Sequence, residues 1–313
     1  MVRFSYIALL VLLSLAPARA VDSLWVDQDP ARWRMIVGEV DGKTYAALQV
    51  QLQPGWHTYW RFPGASGIAP EFNFEASGTL SVGKPVYQAP YFYDDGVGGY
   101  FGYGDEVGFV FPLAFTRNKA ALDFSGLIGV CREVCVPMDV QAGFMLDTKR
   151  IRTSPHGPKI AEMLAASAKM PSDDLAVGGV SFDGVSLQVV VTGENLSDPS
   201  VMIVPGPHDI IGPPRIAAAH PNSYLIEVPA WSKLDHPLIG RKLDIVIRDG
   251  DRAIETQAMI SDHRLVSPDM VPNLAPEKAP VMVPATLPDM TPDETPNEPT
   301  EMLKEQENDS TTR

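Results

Sequence analysis

The sequence predicts an all-β protein: a β-sandwich followed by a second, smaller β-sandwich, with a short helix in the linker between them and a disordered acidic tail. Three observations carry this. Asp-Gly stands between strand-like runs at Asp41-Gly42 and again at Asp249-Gly250, the strongest short-range hairpin signal. Short runs of β-branched and aromatic residues recur throughout, punctuated by glycine and proline. Only one stretch has apolar residues at helical spacing.

In chain order, Met1-Val2-Arg3, the apolar run from Phe4 to Leu15 and Ala18-Arg19-Ala20 read as an export signal over 1–20. The run is short for a membrane span. Cleavage after Ala20 is therefore expected, with an uncleaved anchor as the alternative. About 290 residues then remain, enough for two domains, in a compartment where disulfides form and persist.

Residues 21–150 form the first block. Thr44 to Leu52 is rich in strand formers and ends at Pro54-Gly55. Val107 to Phe115 is a second such run, and Ala121 to Val130 and Val136 to Leu146 flank the only two cysteines. Residues 151–174 form a linker. There Ser154-Pro155 precedes Ile160, Met163 and Leu164, which places one helix near Pro158 to Lys169, ended by Met170-Pro171. Residues 175–265 form the second block: Val185, Leu187, Val189 and Val191 alternate with Ser186, Gln188 and Val190, as a strand requires. Further strands are expected at Val201 to Val204, Tyr224 to Val228, Leu243 to Ile247 and Ala253 to Ile260. Residues 266–313 form the tail. From Pro268 on it has ten acidic residues against Lys278, Lys304 and Arg313, and nine prolines. That composition cannot bury enough apolar surface to fold. The formal charge of −14 repels nucleic acid and anionic lipid, so no nucleic-acid partner is expected.

The chemistry concentrates in Cys131-Arg132-Glu133-Val134-Cys135. A bridge between these cysteines closes a tiny loop, for which chain entropy gives only about 2 kcal/mol against about 3 for fifteen residues. A sandwich of this size needs no such staple. Residues facing each other across a tight β-turn nonetheless lie at bridging distance. Three readings stay open: a redox pair, a structural disulfide, and a half-set of soft ligands for Cu(I). Thioredoxin-type chemistry is disfavoured, because that motif is C-x-x-C at a helix start.

The residues around the cysteines resemble a known family. Leu52-Gln53-Pro54-Gly55-Trp56-His57-Thr58-Tyr59-Trp60-Arg61-Phe62-Pro63-Gly64, then Ser66-Gly67-Ile68-Ala69-Pro70, Gly99-Tyr100-Phe101-Gly102-Tyr103, and Gly129-Val130-Cys131 to Cys135-Val136-Pro137 are similar to the N-terminal periplasmic (alpha) domain of the DsbD/ScsB thiol:disulfide interchange proteins. The C-x-x-x-C spacing looks more like the ScsB branch, linked to copper tolerance, than DsbD, known from cytochrome c biogenesis. The resemblance covers Trp33 to about Leu146. It implies an immunoglobulin-like sandwich with the cysteines on an edge hairpin. It also implies protein-disulfide reductase or thiol-disulfide exchange activity in the periplasm, with Cys131 and Cys135 as the catalytic pair, no cofactor and no metal. Its partners would be a membrane-embedded thiol electron carrier and periplasmic disulfide-containing client proteins. Cys135 would be the exposed, client-linked sulfur and Cys131 the resolving one. A cap loop at about Tyr91 to Phe101 would shield the pair, with Tyr59 beside it and Tyr100 and Phe101 in the cap. The family continues into a membrane-spanning and a thioredoxin-like domain that these 313 residues do not contain. Electrons are therefore expected from a separate protein, in a direction the sequence leaves undetermined. The alternative is a non-catalytic periplasmic adaptor or copper-binding module with a structural disulfide.

Other candidates have two readings each. His57 either tunes a thiolate or packs as a strand histidine between Trp56 and Trp60. Asp94 and Asp95 either move protons at the pair or form a solvated turn. Arg132 favours a thiolate while Glu133 opposes it. The aromatic stretch of Tyr87, Tyr91, Phe92, Tyr93, Tyr100, Phe101 and Tyr103 divides between core and docking surface. His208, His220, His236 and His263 lack ligand spacing. No phosphate loop, nucleophile elbow or paired-carboxylate motif is present.

Overall fold

The computed structural model describes residues 21–64, 67–96, 98–204, 211–231 and 238–262. The expected export signal and tail lie outside the described residues, as do His208, His236 and His263. The chain folds into strands β1 (Val26–Gln28), β2 (Ala31–Val40), β3 (Lys43–Leu52), β4 (His57–Gly64), β5 (Glu71–Ala76), β6 (Leu80–Val82), β7 (Val86–Tyr87), β8 (Tyr91–Tyr93), β9 (Tyr100–Gly104), β10 (Glu106–Phe115), β11 (Lys119–Cys131) and β12 (Cys135–Asp147). Helices α1 (Thr148–Ile151) and α2 (Gly157–Ala165) follow. Then come β13 (Ala176–Phe182), β14 (Ser186–Thr192), β15 (Ser200–Val204), β16 (Arg215–His220), β17 (Ser223–Pro229), β18 (Lys242–Asp249) and β19 (Arg252–Ser261).

The first sandwich has one sheet ordered β1-β2-β3-β10-β6, with β7 on β10, and another ordered β12-β11-β4-β9-β8, with β5 on β11. The β2–β3 hairpin turns on Asp41 and Gly42, both at positive φ, as a two-residue hairpin turn of this hand demands. Strand alternation sends Trp33, Met35, Val37, Leu48 and Val50 of one sheet against Trp60, Leu122, Phe124, Ile128 and Val130 of the other. On the outer face of the first sheet, Ile36, Ala47 and Val110 receive Ile160 and Met163 of α2.

The linker differs from expectation in two ways. A turn of helix, α1, leads into it from Thr148, where the Asp147 side chain accepts from Lys149 N. And α2 stops at Ala165 rather than reaching Lys169. The reason is tertiary. Ser167 pairs with Gln88, Lys169 pairs with Ile254, and Lys169 exchanges 2.9 Å hydrogen bonds with Ala253 and Glu255. Extended backbone ties the linker to both blocks more effectively than another helical turn would.

The second block is a single sheet ordered β15-β18-β19-β13-β14-β17-β16. It is continuous because β13 runs parallel to β19 through Val180–Ile260 and Ser181–Ser261. Both halves line one core, Val189, Val191 and Ile226 from one side and Ile203, Ile245 and Ile254 from the other. The opposite face of β15 and β18 supplies Met202 and Val246 to the first core. Arg61 meets Glu255 at 2.5 Å, and Phe62 packs against both cores. The two blocks therefore share an apolar contact rather than hanging on a bare linker. Among the described residues, no helix is long and apolar enough to cross a membrane.

Candidate functional site: the Cys131–Cys135 hairpin tip

Strands β11 and β12 pair residue for residue from Lys119–Asp147 to Cys131–Cys135. The cysteines close this ladder, and Arg132-Glu133-Val134 form the turn, with Arg132 N donating to Val134 O at 3.3 Å. The two are joined in a disulfide with their Cα atoms 4.1 Å apart. Their exposure differs for a topological reason. β11 lies between β12 and β4, and Cys131 sits opposite His57 of β4, so it is only 2% exposed. β12 is the sheet edge, and Cys135 is exposed there. At the apex Val134 is 70% exposed, an apolar side chain beside the reachable sulfur.

β4 supplies the side chains next to the bridge. Period-two alternation puts His57 and Tyr59 on one face and Thr58 on the other. Thr58 is fully buried and its hydroxyl donates to Gly129 O at 2.8 Å, tying β4 to the strand that carries Cys131. The Tyr59 hydroxyl lies 3.5 Å from Cys135 Sγ and 3.3 Å from His57 Nε2. The His57 ring stacks on Tyr100, with centroids 3.9 Å apart and planes 13° apart, and Tyr100 stacks in turn on Tyr93 at 4.9 Å. A column of Tyr93, Tyr100 and His57 thus leads from the β8–β9 hairpin to Tyr59, whose hydroxyl lies at the sulfur.

The β8–β9 loop is shaped by its aspartates. Asp95 Oδ1 accepts from Gly98 N at 2.9 Å and Gly99 N at 2.7 Å, and Asp94 Oδ1 accepts from Gly96 N at 2.8 Å. Such side-chain turns hold the backbone of this glycine-rich loop. Gly102 of β9 lies where any Cβ would meet Thr58 O at 2.1 Å, so β9 can close on β4 only with glycine there. Phe101, expected in the cap, points away from the bridge into the core, where it packs near Phe62 and Phe92. Tyr103 is also core, and its hydroxyl donates to Gln88 O at 2.8 Å. His220 is exposed on β16, away from the pair.

Burial sets the electrostatics. It lowers the His57 pKa, with the Asp95 charge partly opposing, which favours the neutral imidazole near pH 7. Burial, and then Asp95, raise Tyr59. Burial, then the charges of Tyr93, Tyr59 and Asp95, push Tyr100 up to about 12. The phenols therefore remain protonated and able to donate. Arg132 turns its guanidinium over Trp56 at 5.4 Å. Among the described residues, no group of three or more His, Cys, Asp or Glu side chains is gathered for a metal ion.

Two contacts escaped the sequence reading. Arg248 of β18 lies over the Tyr91 ring at 3.6 Å and donates from Nη1 to Ala89 O at 3.1 Å, so the second block grips the root of the β8–β9 hairpin. No sequence signal marks this, because the partners lie 159 residues apart and meet only through the packing of the two blocks.

The bridge adds little to the fold. Replacing both cysteines with serine removes about 2 kcal/mol of loop constraint and is expected to leave a cooperative thermal melt, displaced downwards by a few degrees. Failure of the double variant to fold at 37 °C would show the bridge to be a staple.

A β-sandwich with a disulfide at the tip of an edge hairpin, one cysteine buried and the other exposed beside Tyr59, is the class of protein that fold and site define. Residues 23–145 match the family described as thiol:disulfide interchange protein DsbD, N-terminal. The crystal structure of the N-terminal periplasmic domain of ScsB from Proteus mirabilis shares the fold, with a TM-score of 0.67 at 22% sequence identity, over 78% of this chain and 99% of that one. The likeness in fold therefore reaches past the family segment into the second block. No curated protein matches the chain.

Proposed function

We propose that this chain is an exported, periplasmic thiol:disulfide exchange protein. It takes electrons from a separate membrane-embedded thiol carrier and passes them to oxidised client proteins through Cys131 and Cys135. The observation that carries the reading is the unequal exposure of the two cysteines. Exchange needs one sulfur that a partner can approach in line and a second held close behind it. Cys135 on the edge strand is exposed, and Cys131 inside the sheet is 2% exposed.

In the reduced protein the Cys135 thiolate attacks a client disulfide. A Cys135–client bond forms and the client's other sulfur leaves as a thiolate. Cys131 then attacks Cys135 Sγ, re-forming the internal bridge and releasing the second client sulfur. The client gains two electrons, and two protons complete its thiols. The carrier's dithiol reverses the change in the protein. Tyr93 and Tyr100 stack behind His57 next to Tyr59, whose hydroxyl lies at Cys135 Sγ, and the Arg248 contact steadies the hairpin that holds them.

The test is a reduction potential, measured by equilibrating the oxidised protein across a glutathione series. A value above about −300 mV, where exchange-active bridges lie, is expected. A lower value would mark a structural bridge and favour the adaptor reading.

A further inference from the structure

We propose that His57 is the proton acceptor for the Cys135 thiol, acting through the hydroxyl of Tyr59, so that Tyr59 is the catalytic residue at the sulfur and His57 the positioning residue behind it. This rests on the exchange reading above and adds to it where the thiol proton goes.

The argument begins from one hydroxyl between two partners. Tyr59 Oη is 3.5 Å from Cys135 Sγ and 3.3 Å from His57 Nε2. A tyrosine hydroxyl has one proton to give, so the two contacts cannot both be donations from it. In the bridged state Cys135 has no proton. The hydroxyl then donates to sulfur, and His57 Nε2–H donates to Oη. In the thiol state the chain runs the other way, from Sγ–H to Oη and from Oη–H to an unprotonated Nε2. Moving the thiol proton one step to Oη, while the phenol proton passes to Nε2, leaves a Cys135 thiolate, an intact phenol and an imidazolium. No atom or charge is left over. The thiolate is the species that attacks a client disulfide. The tyrosine is not itself the base, because its burial holds the phenol protonated.

The surroundings suit the charges. The groups around His57 are Tyr59 on its own strand, Tyr100 from the β8–β9 hairpin with Tyr93 stacked behind it, Asp95 from the loop of that hairpin, and Cys131 opposite on β11, whose turn to Cys135 carries Arg132 and Glu133. Burial keeps the imidazole neutral before the transfer, and Asp95 favours the cation afterwards. Arg132 is turned onto Trp56. Stacking on Tyr100 at 3.9 Å holds the ring with Nε2 on the hydroxyl, so the imidazole is pre-placed and needs no rearrangement before it accepts the proton.

Two measurements test this. In the first, the reduced protein reacts with dipyridyl disulfide across about pH 5 to 9.5, and the rate is followed by the released pyridinethione. The parent midpoint is expected below the ordinary thiol value of about 8.5. His57→Gln and Tyr59→Phe are each expected to raise it by about one unit, making exchange roughly tenfold slower at pH 7, with all three converging at the alkaline end. Tyr59→Phe keeps the ring and its packing, so it reports on the hydroxyl even if His57→Gln loosens the stack. A merely structural role would lower the rate equally at every pH. Unmoved midpoints in both variants would overturn the relay, and a shift in Tyr59→Phe alone would overturn the part assigned to His57. An unreactive parent would instead overturn the exchange reading, and the relay with it. The second measurement uses the unaltered protein: the NMR titration of the His57 imidazole is expected at higher pH in the reduced than in the oxidised state. Equal values in the two states would also overturn the relay.

Discussion

Cys131→Ser is expected to accumulate mixed disulfides between Cys135 and its partners, whereas Cys135→Ser is expected to trap almost none. The cause is the position of each residue in the sheet. Cys131 ends a strand flanked by β12 on one side and β4 on the other, and an attacking sulfur has no line of approach to it. Cys135 begins the edge strand, with its far side unpaired among the described residues, and beside it Val134 offers an exposed apolar contact. When serine replaces the buried sulfur, the Cys135–client bond forms as before, but no internal thiol can break it. When serine replaces the exposed sulfur, the first bond does not form, because the rate of exchange follows access as well as thiolate fraction. Non-reducing electrophoresis of extracts from cells carrying each single variant reads the difference, with bands that collapse on addition of a reductant. Equal trapping by both variants would refute the assignment of roles while leaving exchange itself intact. Trapping by neither would speak for an adaptor.

What was legible in the sequence follows from how local each feature is. The turn at Asp41-Gly42 needs positive φ at both positions, and Asp-Gly is a local chemical solution to that need. The cysteines announced themselves by being the only pair and by sitting between two strand-like runs. His57 and Tyr59 could be placed on one face because strands alternate. That they lie within hydrogen-bond reach of each other and of Cys135 needed the ladder that sets β4 beside β11. Other features depended on contacts made far along the chain. Helical spacing alone carries α2 on to Lys169, because propensity holds no knowledge that Lys169 pairs with β19. The second block read as a sandwich, but nothing local says that its strands form one sheet joined through the parallel β13–β19 pair. Phe101 and Tyr100 are neighbours in an aromatic run, and alternation sends one to the core and the other onto the His57 ring. Which is which depends on the register of β9 against β4, and a bulge between Tyr59 and Gly64 shifts that register.

Trp60→Ala is expected to be the most destabilising single change on the strand that carries the site. Trp60 is 1% exposed and sits in the first core among the large side chains of both sheets. Removing a buried indole leaves a cavity that the surrounding strands cannot fill without breaking their ladders, at a cost of about 3–5 kcal/mol, against a total stability of about 5–15 kcal/mol for a natural domain. The melting temperature should fall by roughly 10 °C. The damage extends beyond stability, because Trp60 follows Tyr59 directly. One face of β4 anchors the strand in the core, and the other presents His57 and Tyr59 to the sulfur. Loss of the anchor should therefore slow exchange at pH 7 even at temperatures where the variant is still folded, while Trp60→Phe, which keeps much of the volume, should retain most of both properties. Paired melts and exchange rates decide the matter. A Trp60→Ala variant with melting temperature and rate close to the parent's would mean that β4 is held by its hydrogen-bonded neighbours alone, through Thr58 and the β9 and β11 ladders, and that the core beneath it contributes little to the position of the site.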